Sequence, residues 1–198
     1  MNKLTFKHFN LADWFSFYRI ATAPVLLAIL FANQRILFTA LLLISYTTDM
    51  VDGYLARYYN MASKRGSQLD SMGDQLTFIV GLIGLYYYET TFILENMIFI
   101  AGLFILYGIQ MLIAFIKYGK ATAFHTYAAK SSAVLQAAFI LWALFYDPVY
   151  WLFYIVVIVG VIETIEEITL IFMHQHWMSD VKGVYWTLMD RKNKSQEV

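Results

Sequence analysis

The sequence predicts an all-α integral membrane protein: six transmembrane helices preceded by an amphipathic helix lying in the interface. Three observations predict it. The 198 residues are 60% hydrophobic and 18% aromatic, with only 14% charged and a mean hydropathy of +0.57, far from the composition of a soluble domain. Apolar stretches of roughly 17–25 residues recur along the chain, each long enough at 1.5 Å per residue to cross a bilayer. The positive charges also segregate. Six spans put both termini and the 2–3 and 4–5 loops on one side, and of the 14 Lys and Arg all but Arg35 then lie there. The positive-inside rule makes that side cytoplasmic.

Residues 1–13 mix Leu4, Phe6, Phe9 and Leu11 with Lys3, Lys7 and His8, the pattern of a helix lying in the membrane surface. The first span, 14–32, opens on the interfacial aromatics Trp14, Phe17 and Tyr18 and contains Pro24, where a kink is expected. A cleavable leader is not expected: Ala21-Thr22-Ala23 imitates a cleavage site, but Pro24 follows and Asp13 and Arg19 interrupt the apolar stretch. The second span, 36–54, carries Asp49 and Asp52 in its last turns. The third, 69–88, places Thr77, Gly81 and Gly84 within roughly 40° of the Asp70 direction, small residues that let neighbouring helices approach closely. The fourth, 92–116, is followed by the polar stretch Lys117–Lys130. The fifth, 128–146, ends at Asp147-Pro148. The sixth, 149–173, leads into a polar cytoplasmic tail, 174–198. No internal repeat breaks the chain, which reads as one membrane domain over residues 1–198.

Composition excludes several chemistries. Without cysteine there are no disulfides and no thiolate metal sites. The four histidines form no H-x-x-x-H pair, which argues against a zincin-type centre. The basic residues are too few and scattered for a nucleic-acid surface.

Chemistry concentrates between Asp49 and Asp74, which hold four of the eight aspartates. Asp49, Asp52 and Ala56 share one helical face, and Asp70 and Asp74, one turn apart, share another. A short turn containing Gly66 between the two helices would bring the four carboxylates into one small volume. They repel one another there and lose hydration near hydrocarbon. Two divalent cations would cancel the charge, and carboxylates are the hard oxygen ligands that Mg2+ and Mn2+ favour.

The pattern Asp49-x-x-Asp52-Gly53-x-x-Ala56-Arg57, then eight residues, then Gly66-x-x-x-Asp70-x-x-x-Asp74 resembles the signature of the CDP-alcohol phosphotransferase (CDP-alcohol phosphatidyltransferase) family, with all eight positions present. The six-span layout and Trp14–Pro24, with Arg19 five residues before Pro24, resemble the family as well. The resemblance implies transfer of a substituted phosphate, commonly phosphatidyl, from a CDP-linked lipid such as CDP-diacylglycerol to an alcohol, with release of CMP. It implies that Asp49, Asp52 and Asp70 ligate two divalent cations, that Asp74 sits at the metal site and acts as base on the attacking hydroxyl, and that Gly53, Ala56, Arg57 and Gly66 form the CDP-binding surface. It further implies a homodimer, a role in phospholipid biosynthesis and a bacterial inner-membrane location with a cytoplasmic site.

The acceptor is not written in these residues. Glycerol 3-phosphate leads, against serine, inositol and inositol phosphate, with Lys64, Arg65, Lys117, Lys120, His125 and Lys130 as candidates to hold an acceptor phosphate. Glu163, Glu166 and Glu167 in the sixth span need partners. Glu163 and Glu167 share a face and are expected to meet Arg57 or the nucleotide, lysines, or the interface. A membrane prenyltransferase generally needs two distant aspartate motifs and leaves Gly53, Ala56 and Arg57 idle. A cation site in a transporter predicts acidic residues along a path across the bilayer, whereas these sit at one face.

Overall fold

Runs of apolar residues with few breakers fold into eight helices among the residues described by the computed structural model, 11–58 and 64–196. They are α1 (Leu11–Phe31), α2 (Arg35–Tyr58), α3 (Lys64–Tyr88), α4 (Thr90–Glu95), α5 (Met97–Tyr118), α6 (Tyr127–Phe145), α7 (Tyr150–Met173) and α8 (Val184–Gln196). There is no strand among the described residues, only an isolated bridge between Ala123 and Ser179. The expected interfacial helix falls largely on residues outside those described.

The six long helices have 19 to 25 residues, and their ends mostly match the expected spans. α1 runs through Pro24 without a break. The fourth span is the exception, being split at Asn96 into α4 and α5. Asn96 is buried, its Nδ2 donates to the Phe92 carbonyl at 2.9 Å, and its own carbonyl takes the Phe99 and Ile100 N–H groups. A polar side chain thus satisfies the backbone where the helix is interrupted. The polar tail carries a helix too: α8 follows Gly183, whose φ of 148° suits glycine and where a Cβ would lie 2.8 Å from the Glu166 carboxylate.

Polarity is arranged inside out. Buried positions include Arg19, Thr22, Thr39, Ser45, Thr77, Gln110, Thr164 and Glu167. The most exposed side chains include Ile98, Ile105, Leu112 and Ile116 down one side of α5, with Ile116 85% exposed, and Trp151, Ile158, Ile162 and Ile165 along α7. In water such stripes would cost far more than a monomer tolerates. Hydrocarbon is their natural solvent, and this is a membrane protein. α5 and α6 are each long and apolar enough to cross a membrane.

Two compact units divide the chain. The first is Met1–Thr90 with Ile140–Pro148, and the second is Thr91–Phe139 with Val149–Val198. In the first, α1 packs against both α3 and α2, and α2 packs against α3. The small-residue face of α3 meets α2 as expected: a Cβ on Gly84 would overlap the Phe38 ring, and one on Gly81 would come 2.8 Å from the Tyr46 hydroxyl. In the second unit α5 packs on α7 and α7 on α8. One end is filled by Ala114, Phe124, Leu170, Ile171 and Val181. Aromatic rings fill another part, with Phe92–Phe153 at 5.2 Å and Phe139–Phe153 at 5.7 Å between centroids.

Candidate active site

Each helix of the first unit carries its buried stripe into a charged group. On α1 the buried positions are Arg19, Thr22, Ala23, Leu26 and Leu30, and on α2 they include Phe38, Thr39, Leu42 and Ser45, both at helical spacing. Continuing the α2 stripe by one turn reaches Asp49, and running the α3 stripe back from Val80 and Thr77 reaches Asp74 and Asp70. Packing the three stripes together therefore forces the charges together at one end.

There the carboxylates of Asp49, Asp70 and Asp74 offer oxygens that all lie within 4.8 Å of one another. Arg19 holds them. Its Nη1 donates to Asp49 Oδ1 and to Asp74 Oδ1, and its Nη2 donates to Asp70 Oδ1 at 2.6 Å. The Arg19 side chain is 1% exposed, while those of the three aspartates are 40–45% exposed. The guanidinium forms the floor of the cluster, and the carboxylates keep surface open above it.

The charge does not balance. Among the described residues three carboxylates face one guanidinium, which leaves two negative charges uncompensated, and each pair of carboxylates 4.8 Å apart repels by roughly 3 kcal/mol at an effective dielectric near 20. The donors are all carboxylate oxygens, and a spacing within 4.8 Å is one that an oxygen-coordinated cation, with bonds of roughly 2.0–2.6 Å, can bridge. The residues present fit a hard divalent cation.

Other site residues expected from the sequence are placed only by backbone. Asp52, Gly53, Ala56 and Arg57 lie in the last turns of α2, and Lys64, Arg65 and Gly66 in the first turn of α3; their side chains are outside the described residues. Gly66 is accordingly helical and not part of the turn, because α3 already starts at Lys64. In the second unit Lys117 Nζ donates to the Ile171 carbonyl at 2.7 Å. Lys120 Nζ sits 3.5 Å from the centre of the Trp177 ring, and Lys130 Nζ lies 5.9 Å from that of Tyr127. His125 is exposed, with φ of 53°.

The sixth-span glutamates find neutral partners within their own unit. Glu167 accepts from Gln110 Nε2 and from Thr122 Oγ1, the latter at 2.8 Å. Glu163 accepts from the Thr164 hydroxyl at 3.3 Å. Glu166 accepts the Val184 N–H at 3.2 Å at the start of α8, where a helix N-terminus favours a carboxylate. None of these described contacts is with a lysine.

Arg19 is what reading the sequence missed as a member of the site. The signal was present: a cation inside a largely apolar helix must find an anion, and the aspartates between Asp49 and Asp74 are a cluster with negative charge to spare.

The CDP-alcohol phosphatidyltransferase family model matches residues 9–165. Among similar proteins, the CDP-diacylglycerol--glycerol-3-phosphate 3-phosphatidyltransferase of Rickettsia bellii is 29% identical over 111 residues, which cover 54% of this chain and 61% of that protein. The protein of the same name from Rickettsia felis is 27% identical over 111 residues, with the same coverage of 54% and 61%. A third, from Blochmanniella floridana, is 32% identical over 78 residues, 38% of this chain and 41% of that protein. The chain thus spans about 61% of the length of the Rickettsia relatives it matches. The family match takes in Arg19 and every signature position from Asp49 to Asp74, and the chain belongs to the CDP-alcohol phosphatidyltransferase family.

Proposed function

We propose that the protein transfers a phosphatidyl group from CDP-diacylglycerol to the primary hydroxyl of glycerol 3-phosphate, releasing CMP. The observation that carries this reading is the gathering of Asp49, Asp70 and Asp74 at three of the signature positions. The names of the Rickettsia and Blochmanniella relatives support the acceptor.

In this reading Asp49, Asp52 and Asp70 hold two divalent cations, Mg2+ or Mn2+, with Asp74 beside them. Bound there, the cations supply positive charge against the donor's pyrophosphate and the departing CMP. Gly53 and Ala56 present almost no side chain, so a ribose or base can lie against α2, with Arg57 and Gly66 completing the nucleotide surface. Asp74 takes the proton of the acceptor hydroxyl. The acceptor oxygen bonds to the phosphorus that carries the diacylglycerol, the bond from that phosphorus to the CMP oxygen breaks, and CMP leaves with the electron pair. Lys64, Arg65, Lys120, His125 and Lys130 are the cations from which an acceptor phosphate site is drawn.

Six spans in one domain, with residues 1–13 in the interface and the site facing the cytoplasm, complete the proposal. The segregation of Lys and Arg supports that orientation.

The test is CMP release by purified protein from labelled CDP-diacylglycerol, with glycerol 3-phosphate, serine, inositol and inositol phosphate as acceptors. CMP and a phosphatidylglycerol phosphate product are expected with glycerol 3-phosphate and Mg2+, with loss of turnover in EDTA and recovery on adding Mg2+ or Mn2+. Turnover with serine and none with glycerol 3-phosphate would replace the acceptor. No turnover with any acceptor, together with no binding of CMP, would overturn the reaction class.

A further inference from the structure

We propose that Arg19 is the resident counter-cation of the carboxylate cluster, holding Asp49, Asp70 and Asp74 together while no divalent cation is bound and becoming largely dispensable to stability once the site is loaded. The inference rests on the metal site proposed above, but it concerns a residue of α1, outside the signature between Asp49 and Asp74.

Three observations carry it. One guanidinium serves all three carboxylates, with Nη1 shared by Asp49 and Asp74 and Nη2 on Asp70. Each of these aspartates belongs to α2 or α3, while Arg19 belongs to α1, so the contact ties the three helices of the first unit at the end where repulsion would push them apart. Burial is one-sided: Arg19 is sealed beneath carboxylates that stay open on the other side. A cation arriving from the open side meets a site already assembled, and it takes over the neutralisation that, among the described residues, Arg19 supplies before.

A residue that merely packs costs the same stability whether or not metal is present. A counter-cation does not, because its removal leaves unrelieved repulsion only in the metal-free protein. Linkage then requires that the variant bind metal more tightly than the wild type. The two measurements close one thermodynamic cycle.

The experiment compares thermal unfolding of the full-length wild type and Arg19→Gln in detergent, with EDTA and with saturating Mg2+, alongside Mn2+ binding followed by electron paramagnetic resonance. Arg19→Gln is expected to lower Tm by about 8 °C in EDTA and by less than half of that in Mg2+. Its Kd for Mn2+ should fall about tenfold, the equivalent of ~1.4 kcal/mol. Equal losses of Tm in the two conditions, with Mn2+ affinity unchanged or weaker, would overturn the proposal. Should Arg19→Gln fold under neither condition, Asp49→Asn is added to it. Recovery of a folded protein in EDTA supports the proposal, since one negative charge has been removed in place of the positive one, and no recovery overturns it. A wild type that binds no Mn2+ at all sinks the metal site itself, a result distinct from a wild type that binds while the two Tm losses stay equal.

Discussion

Two arginines mark the two ends of the first unit, and they are used in opposite ways. Arg35, at the start of α2, donates to the carbonyls of Ala143, Leu144 and Tyr146 at 2.8–2.9 Å and to Glu89 Oε1 at 2.6 Å. It closes the C-terminal end of α6, whose last carbonyls have no intrahelical donor, and its charge is matched by one carboxylate. Arg19 lies near the other end of α2, roughly 20 Å away by the rise from residue 35 to 49, and faces three carboxylates at once. One knot is saturated and neutral. The other has a buried guanidinium, an excess of negative charge among the described residues, and carboxylates open on one side. A neutral knot serves stability alone, whereas an excess of carboxylate is the charge pattern that the proposed cation site needs.

The sharpest way to break this contrast is Asp70→Asn. It is expected to lower CMP release at least about 1,000-fold, near 4 kcal/mol of transition-state stabilisation, without lowering Tm in EDTA, because neutralising one carboxylate relieves repulsion. Turnover near the wild-type level, measured with labelled CDP-diacylglycerol, would remove Asp70 from the site. A loss of Tm in EDTA would make the cluster a structural knot like that of Arg35.

Arg35→Ala should do the reverse. It leaves three carbonyls and Glu89 without their donor, at a cost of about 3 kcal/mol, or a Tm lower by roughly 6–12 °C. The loss should be the same in EDTA and in Mg2+, with the specific activity of the folded fraction within about twofold of wild type. A loss that Mg2+ relieves would mean the two ends are not independent.

Between the knots lies the packing that sets where they sit. Gly84→Val pushes a side chain into the Phe38 ring and should cost about 1–3 kcal/mol by overpacking, read as a fall in Tm in both conditions. An unchanged Tm would show that α2 and α3 can separate at no cost. The smallest effect is set by Tyr150→Phe in the second unit, which removes one exposed hydrogen bond to Glu95, 2.7 Å long. A change of about 0.5 kcal/mol or less is expected, and it calibrates what a single polar contact contributes. A larger change would mark the α4–α7 contact as more than a surface pair.

Much of this was legible in the residues. Apolar length showed the helices, because a chain without water to satisfy its backbone has little alternative. Spacing placed Asp49 and Asp52 on one face and Asp70 and Asp74 on another, and small residues marked the face of α3 that meets α2. The break at Asn96 was not legible, since one polar residue in an apolar run signals a buried satisfied amide only when its neighbours are known. Nor was α8, whose start is held by Glu166 and which follows Val181, a member of the apolar cluster with Phe124 and Leu170.

By itself the sequence determined the helices, the aspartate spacing and the family signature, because these rest on periodicities of 3.6 residues and on local chemistry. Only the tertiary structure decided which charges meet. Arg19 is 30 residues from Asp49 and 55 from Asp74 in the chain, and no local rule ties them. Their meeting follows from three buried stripes packing together. The same packing leaves one buried cation to hold three carboxylates.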